Sequence, residues 1–146
     1  MIQIPNQLYF EEIVRQIADG SRSVKIKVNG KSMEPFLRDN KDYVVISRLP
    51  SPDKFRKNDL LLFQDHDRHL IHRLIKINHG TLTFNGDHQK QVEVVPAANA
   101  EAIITCIELA NGRRIHRQSI AWKIRTCYSR GLFRIRQAGK KLKGLR

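Results

Sequence analysis

Val24-Lys25-Ile26-Lys27-Val28-Asn29 runs directly into Gly30-Lys31-Ser32-Met33-Glu34-Pro35, and the way the first stretch breaks into the second decides the fold. Val24, Ile26 and Val28 alternate with Lys25, Lys27 and Asn29, the period-2 pattern of a strand with one face on a core and the other in water. Gly30 can adopt the positive φ that a sharp exit from such a strand demands, and Pro35 fixes φ a few residues on. Ser32 is thereby presented on a stiff, narrow bend. Backbone N–H groups in a bend of this kind can point at one spot, where they would stabilise an oxyanion. Without that chemistry, G-x-S-M-x-P is a surface turn whose serine bonds its own backbone.

Strand signals recur at Tyr43 to Ser47, Leu60 to Gln64, His69 to Ile77, Thr81 to Asn85 and Ala102 to Leu109, separated by Pro, Gly, Asp and Asn clusters. Asn111-Gly112 is a hairpin signal that returns the chain through Arg113 to Arg117. Before the first strand, Leu8 to Ala18 reads as a short helix with Leu8, Ile13, Val14 and Ile17 on one side and Gly20 as its stop. Residues 1–118 are therefore expected to form a single, mainly β domain with an N-terminal helix. Beyond it the period switches. Ile120, Ile124, Tyr128, Leu132 and Ile135 fall at helical steps with basic residues between them, so 119–146 reads as a basic amphipathic helix whose Ile120, Ile124 and Tyr128 face packs on the body.

A length of 146 residues with 40% hydrophobic content supports one moderate core and leaves little room for a second domain. Cys106 and Cys127 form no C-x-x-C pair, so neither a disulfide framework nor a zinc ribbon is suggested, and a reducing compartment fits. The apolar runs Leu60-Leu61-Leu62-Phe63 and Tyr43-Val44-Val45-Ile46 fall far short of the ~20 residues of a spanning helix. Met1 to Asp19 lacks the basic start and apolar h-region of a secretory signal. The net charge of +13 is unevenly placed: twelve Lys and Arg and no acid follow Glu108, whereas the preceding residues are near neutral. Such a tail points to an anionic partner, membrane surface or nucleic acid.

His72, in Leu70-Ile71-His72-Arg73-Leu74-Ile75, shares a strand face with Leu70 and Leu74. A lone histidine there is usually a satisfied core residue. Paired with Ser32 it has a second reading, because an imidazole with an ordinary pKa near ~6.5 can accept the serine proton at neutral pH and later deliver it to a leaving amine. His66 and His69, with Asp65 and Asp67 beside them, suggest metal ligands. On an extended strand, however, 66 and 72 face one way and 69 the other, so the three would not converge. No metal or cofactor is expected.

Gly30-Lys31-Ser32-Met33-Glu34-Pro35 resembles the serine box shared by type I signal peptidases and the LexA-type self-cleaving repressors. Lys57-Asn58-Asp59-Leu60-Leu61-Leu62-Phe63 and Leu70-Ile71-His72-Arg73-Leu74-Ile75 resemble the following boxes of that clan, and Phe84-Asn85-Gly86-Asp87 its later Gly-Asp segment. The resemblance covers about residues 22 to 110. It implies a signal-peptidase/LexA-like β-fold and, because most bacterial members place a lysine where this chain has His72, the histidine branch typified by the endoplasmic-reticulum and archaeal enzymes. In that branch Ser32 would attack, His72 would act as base, and an acid in or after the Gly-Asp box would orient the imidazole. Asp87 matches the first such position and is the choice made from sequence; the later position falls near Glu93, and Asp87 can also be read as a cap on the turn after Gly86. The membrane anchor of the signal peptidases has no counterpart before Ser32 beyond the short helix, and no helix-turn-helix or Ala-Gly bond suggests repressor self-cleavage.

Two functions of different class follow. One is a serine endopeptidase acting from the cytoplasmic side on a leader or precursor peptide with small side chains beside the cut, its tail resting peripherally on anionic lipid of the inner face. The other is a non-catalytic module of the same fold whose tail binds membrane or, less readily, nucleic acid.

Overall fold

The computed structural model describes residues 6–20 and 23–144. One antiparallel sheet curls into a half-barrel, with a helix at each end of the chain. The strands are β1 (Val24–Lys27), β2 (Tyr43–Arg48), β3 (Leu60–Asp65), β4 (Arg68–Asn78), β5 (Thr81–Asn85), β6 (Val92–Pro96), β7 (Ala100–Glu108) and β8 (Arg114–His116). Their order across the sheet is β1-β2-β7-β3-β4-β5-β6, and β8 pairs with one end of β7. The mainly β reading of the sequence thus holds, and six strands and the Asn111-Gly112 hairpin stand within a few residues of their expected places. β6 was not anticipated.

Besides the outer edge of β6, the sheet keeps open edges beside the serine-bearing turn. Among the described residues β1 pairs only with β2. The first half of β4, from Arg68 to His72, pairs with β3 on one side, whereas β5 joins it only from Arg73 onward. The unpaired edges of β1 and of early β4 face one cleft.

Helix α1 (Asn6–Gly20) buries Ile13 and Ile17 against Ile26 and Val44 on the β1 side of the core, each such side chain stabilising the fold by about 1.5–3 kcal/mol. Phe10 and Val14 pack partly against the same cluster, while the side chain of Leu8 lies outside the described residues. A second cluster, with Phe63 stacked on Phe84 and surrounded by Leu61, Leu74, Leu82 and Val95, fills the β3–β6 end.

Helix α2 (Ile120–Gly144) corrects the expected packing face. Ile120, Ile124 and Tyr128 are exposed, and the side turned to the body carries Trp122, Thr126 and Ser129. Trp122 lies edge-on to Phe36, their ring centroids 5.1 Å apart. Polar groups do the rest. Arg125 Nε donates to the Phe36 carbonyl at 2.8 Å, Ser129 Oγ to Asp87 at 2.6 Å, and Arg136 to the Asp87 carbonyl at 2.6 Å. An inward face of this kind cannot be found by looking for apolar residues at helical steps. The helix is consequently attached to the back of the serine-bearing turn rather than trailing from the body. Among the described residues, no helix is long and apolar enough to cross a membrane.

Candidate functional site

Ser32 sits at the start of the turn that follows β1, and three contacts fix it there. Gly30 takes the anticipated positive φ, 113°, while its N–H donates to Asp39 at 2.8 Å. Met33, Phe36 and Leu37 anchor the turn in the core. The Ser32 carbonyl accepts from the His88 N–H at 2.9 Å, which docks the turn against the loop after β5. Gly86 makes that approach possible, because a Cβ at this position would lie 2.6 Å from the Ser32 carbonyl oxygen.

His72, on β4, is 3% exposed and lies beside the Phe63 ring. Its Nε2 is 2.9 Å from Ser32 Oγ, so the two residues paired on sequence grounds meet. On its other side Nδ1 donates to a Glu93 carboxylate oxygen. A carboxylate can only accept, so Nδ1 carries the ring proton and Nε2 is left as the acceptor for the serine hydroxyl. The second Glu93 oxygen accepts from Gln89 Nε2 at 3.0 Å, which holds the carboxylate in place.

Asp87 does not reach the imidazole, which corrects the sequence-based assignment of the third group. Its two oxygens accept from Arg73 Nε and Nη2 at 2.9 and 2.7 Å, and Ser129 and Arg130 also donate to it. Arg73 points away from His72 along β4, lies fully buried with its guanidinium 4.4 Å from the Phe36 ring centroid, and needs a counter-charge that Asp87 supplies. Burial pulls the pKa of Arg130 down from the ordinary guanidinium range, and the neighbouring Asp87 carboxylate opposes that fall.

Glu93 comes from β6, the strand the sequence reading passed over. Val92-Glu93-Val94-Val95 looks like a strand with valines at 92 and 94 facing in, yet those are 52 and 59% exposed while Glu93 and Val95 are buried. The inward position at 93 opens onto His72 rather than onto an apolar core.

His66, His69 and His72 each stand apart. His66 is exposed in the β3–β4 turn, His69 donates from Nδ1 to Glu101 at 2.6 Å, and His72 belongs to the serine. Among the described residues no cluster of three His, Cys, Asp or Glu is placed to hold a metal ion.

Ser32 and His72 open onto a cleft of about 390 Å³ between the two free strand edges, lined by Ile26, Val28, Met33, Leu37 and Ile71, with Phe10 of α1 at its side. Among the described residues, the backbone amides of Ser32 and Met33 find no acceptor. The arrangement comprises a hydroxyl, a base hydrogen-bonded to it, a carboxylate fixing the base's tautomer, and an apolar trough edged by unpaired backbone. No protein-family model matches the chain, and none of the curated proteins compared with it matches.

Proposed function

We propose that the protein is a serine endopeptidase of the signal-peptidase/LexA-like clan, in its histidine branch, with Ser32, His72 and Glu93 as the reacting set. The supporting observation is the continuous line from Ser32 Oγ to His72 Nε2 and from Nδ1 to Glu93, ending at an open cleft. The meeting of the serine, histidine and Gly-Asp segments around that line supports the clan.

Ser32 Oγ attacks the scissile carbonyl carbon while its proton passes to His72 Nε2. Glu93 stabilises the imidazolium that forms and keeps it aimed. The free amides of the Ser32–Met33 bend donate to the oxyanion. His72 then protonates the leaving amine, and a water activated by the same imidazole hydrolyses the acyl-enzyme. An extended peptide reaches this position by pairing its backbone with the open edges of β1 and β4. The resemblance adds the preference for small side chains beside the cut; the proposed substrate is a leader or precursor peptide, and the proposed approach is from the cytoplasmic side.

The test is to incubate the protein with a defined peptide mixture and read new termini by mass spectrometry. Cuts beside small residues that vanish in Ser32→Ala and His72→Ala are the expected result. An uncut mixture, together with no acylation of Ser32 by a serine-directed reagent, would overturn the proposal and leave a peptide-binding module.

A further inference from the structure

Four of the large apolar side chains that the protein exposes stand on one stripe of α2. Ile120, Ile124, Tyr128 and Ile135 are 77, 65, 62 and 67% exposed. At 3.6 residues per turn they share one side of the helix. The opposite side is occupied by Trp122, Thr126 and Ser129 against the body, so the stripe cannot turn inward. Exposed Lys123 and Arg134 border it, and α2 contains no Asp or Glu.

We infer that this stripe seats on an anionic phospholipid surface, with the isoleucines among the acyl chains, Tyr128 at headgroup depth, and Lys123 and Arg134 on the phosphates. The charge selects the occupant. A second copy would bring an equally cationic helix against this one. Nucleic acid would neutralise the cations but leave three isoleucines wet. An anionic bilayer takes both halves of the pattern. Trp122 is buried on Phe36 and takes no part. The inference concerns a face other than the cleft and does not depend on the peptidase proposal.

The full chain is floated with vesicles of phosphatidylcholine alone and with vesicles containing phosphatidylglycerol. Recovery with the anionic vesicles only is expected. Replacing Lys123 or Arg134 by Gln should lower the partition coefficient roughly fivefold each, and Ile124→Asp by at least about tenfold. Ile77→Asp, at an exposed site on β4, should change nothing. A polarity-sensitive dye on exposed Cys127 should shift to the blue on binding; burial pushes the thiol pKa of Cys106 up, so the reagent selects Cys127. Equal recovery with both vesicles, or undiminished binding by correctly folded Ile124→Asp, would overturn the inference. So would self-association abolished by Ile124→Asp, or salt-sensitive DNA binding without vesicle binding.

Discussion

Replacing Asp87 by Asn removes the charge that Arg73 was buried to meet. The guanidinium of Arg73 is fully enclosed, donates twice to Asp87, and its remaining hydrogen bonds go to the Asn58 carbonyl and Thr126 Oγ1, both at 3.2 Å and both neutral. Breaking a buried pair by removing one partner costs about 3–5 kcal/mol. For a chain of 146 residues, an unfolding entropy of about 2.1 cal/mol/K per residue turns that into a melting temperature lower by about 10–16 °C. The assay is thermal unfolding followed by far-UV circular dichroism and by fluorescence. The only tryptophan, Trp122, is on α2 and buried against Phe36, so its emission reports the docking of that helix. Because Asp87 also binds Ser129, Arg130 and Arg136, the two signals should fall together in Asp87→Asn, as in the parent protein. The double replacement Arg73→Met with Asp87→Leu should recover most of the lost stability, since an apolar pair of similar bulk has no charge to compensate. A melting temperature within about 3 °C of the parent would refute the reasoning, as would a double variant less stable than Asp87→Asn.

Three further outcomes follow. Glu93→Gln should slow peptide cleavage by about 10²–10⁴-fold, because a neutral amide neither fixes the Nδ1–H tautomer nor stabilises the imidazolium; a melting temperature near that of the parent would accompany it, and unchanged kcat/KM would remove Glu93 from the reaction. On the peptidase proposal His72→Gln should lower kcat/KM by about 10²–10⁴-fold, and a variant as fast as the parent would argue against an imidazole base. Glu108 accepts from Lys25 at 2.8 Å and from Arg114 at 3.2 Å, which hold its pKa below the usual 4.5. Its contribution to stability is therefore complete above about pH 4.5 and disappears as pH falls through the lower folded value; urea unfolding of Glu108→Gln should show a flatter acid limb than the parent, and superimposable curves would contradict this.

The strands with one wet and one dry face could be read from their alternation, and so could the hydroxyl and imidazole, since each is a residue type with a specific chemistry in a distinctive setting. What escaped reading shares one physical cause. Alternation assigns the inside of an element to its apolar side chains, and at β6 and α2 the inside is polar. Glu93 faces in because His72 is there, which puts Val92 and Val94 in solvent. Thr126, Ser129 and Arg130 face in because Arg73 and Asp87 are there, which puts Ile120, Ile124 and Tyr128 in solvent. Nothing in the order of residues announces that an arginine next to the base is fully enclosed, and without that knowledge Asp87 has no evident duty except at the imidazole. Within the Gly-Asp segment the aspartate positions a strand and a helix, whereas the glycine bears on the serine.

That glycine has a consequence for anyone mapping tolerance to substitution. Residue 86 supplies no proton, charge or side-chain contact, yet even alanine there would push on the carbonyl of Ser32. A survey of every single replacement, scored for the proposed cleavage, should therefore rank it alongside Ser32, His72 and Glu93, and a reader guided by such a survey alone would mistake an empty space for a participant.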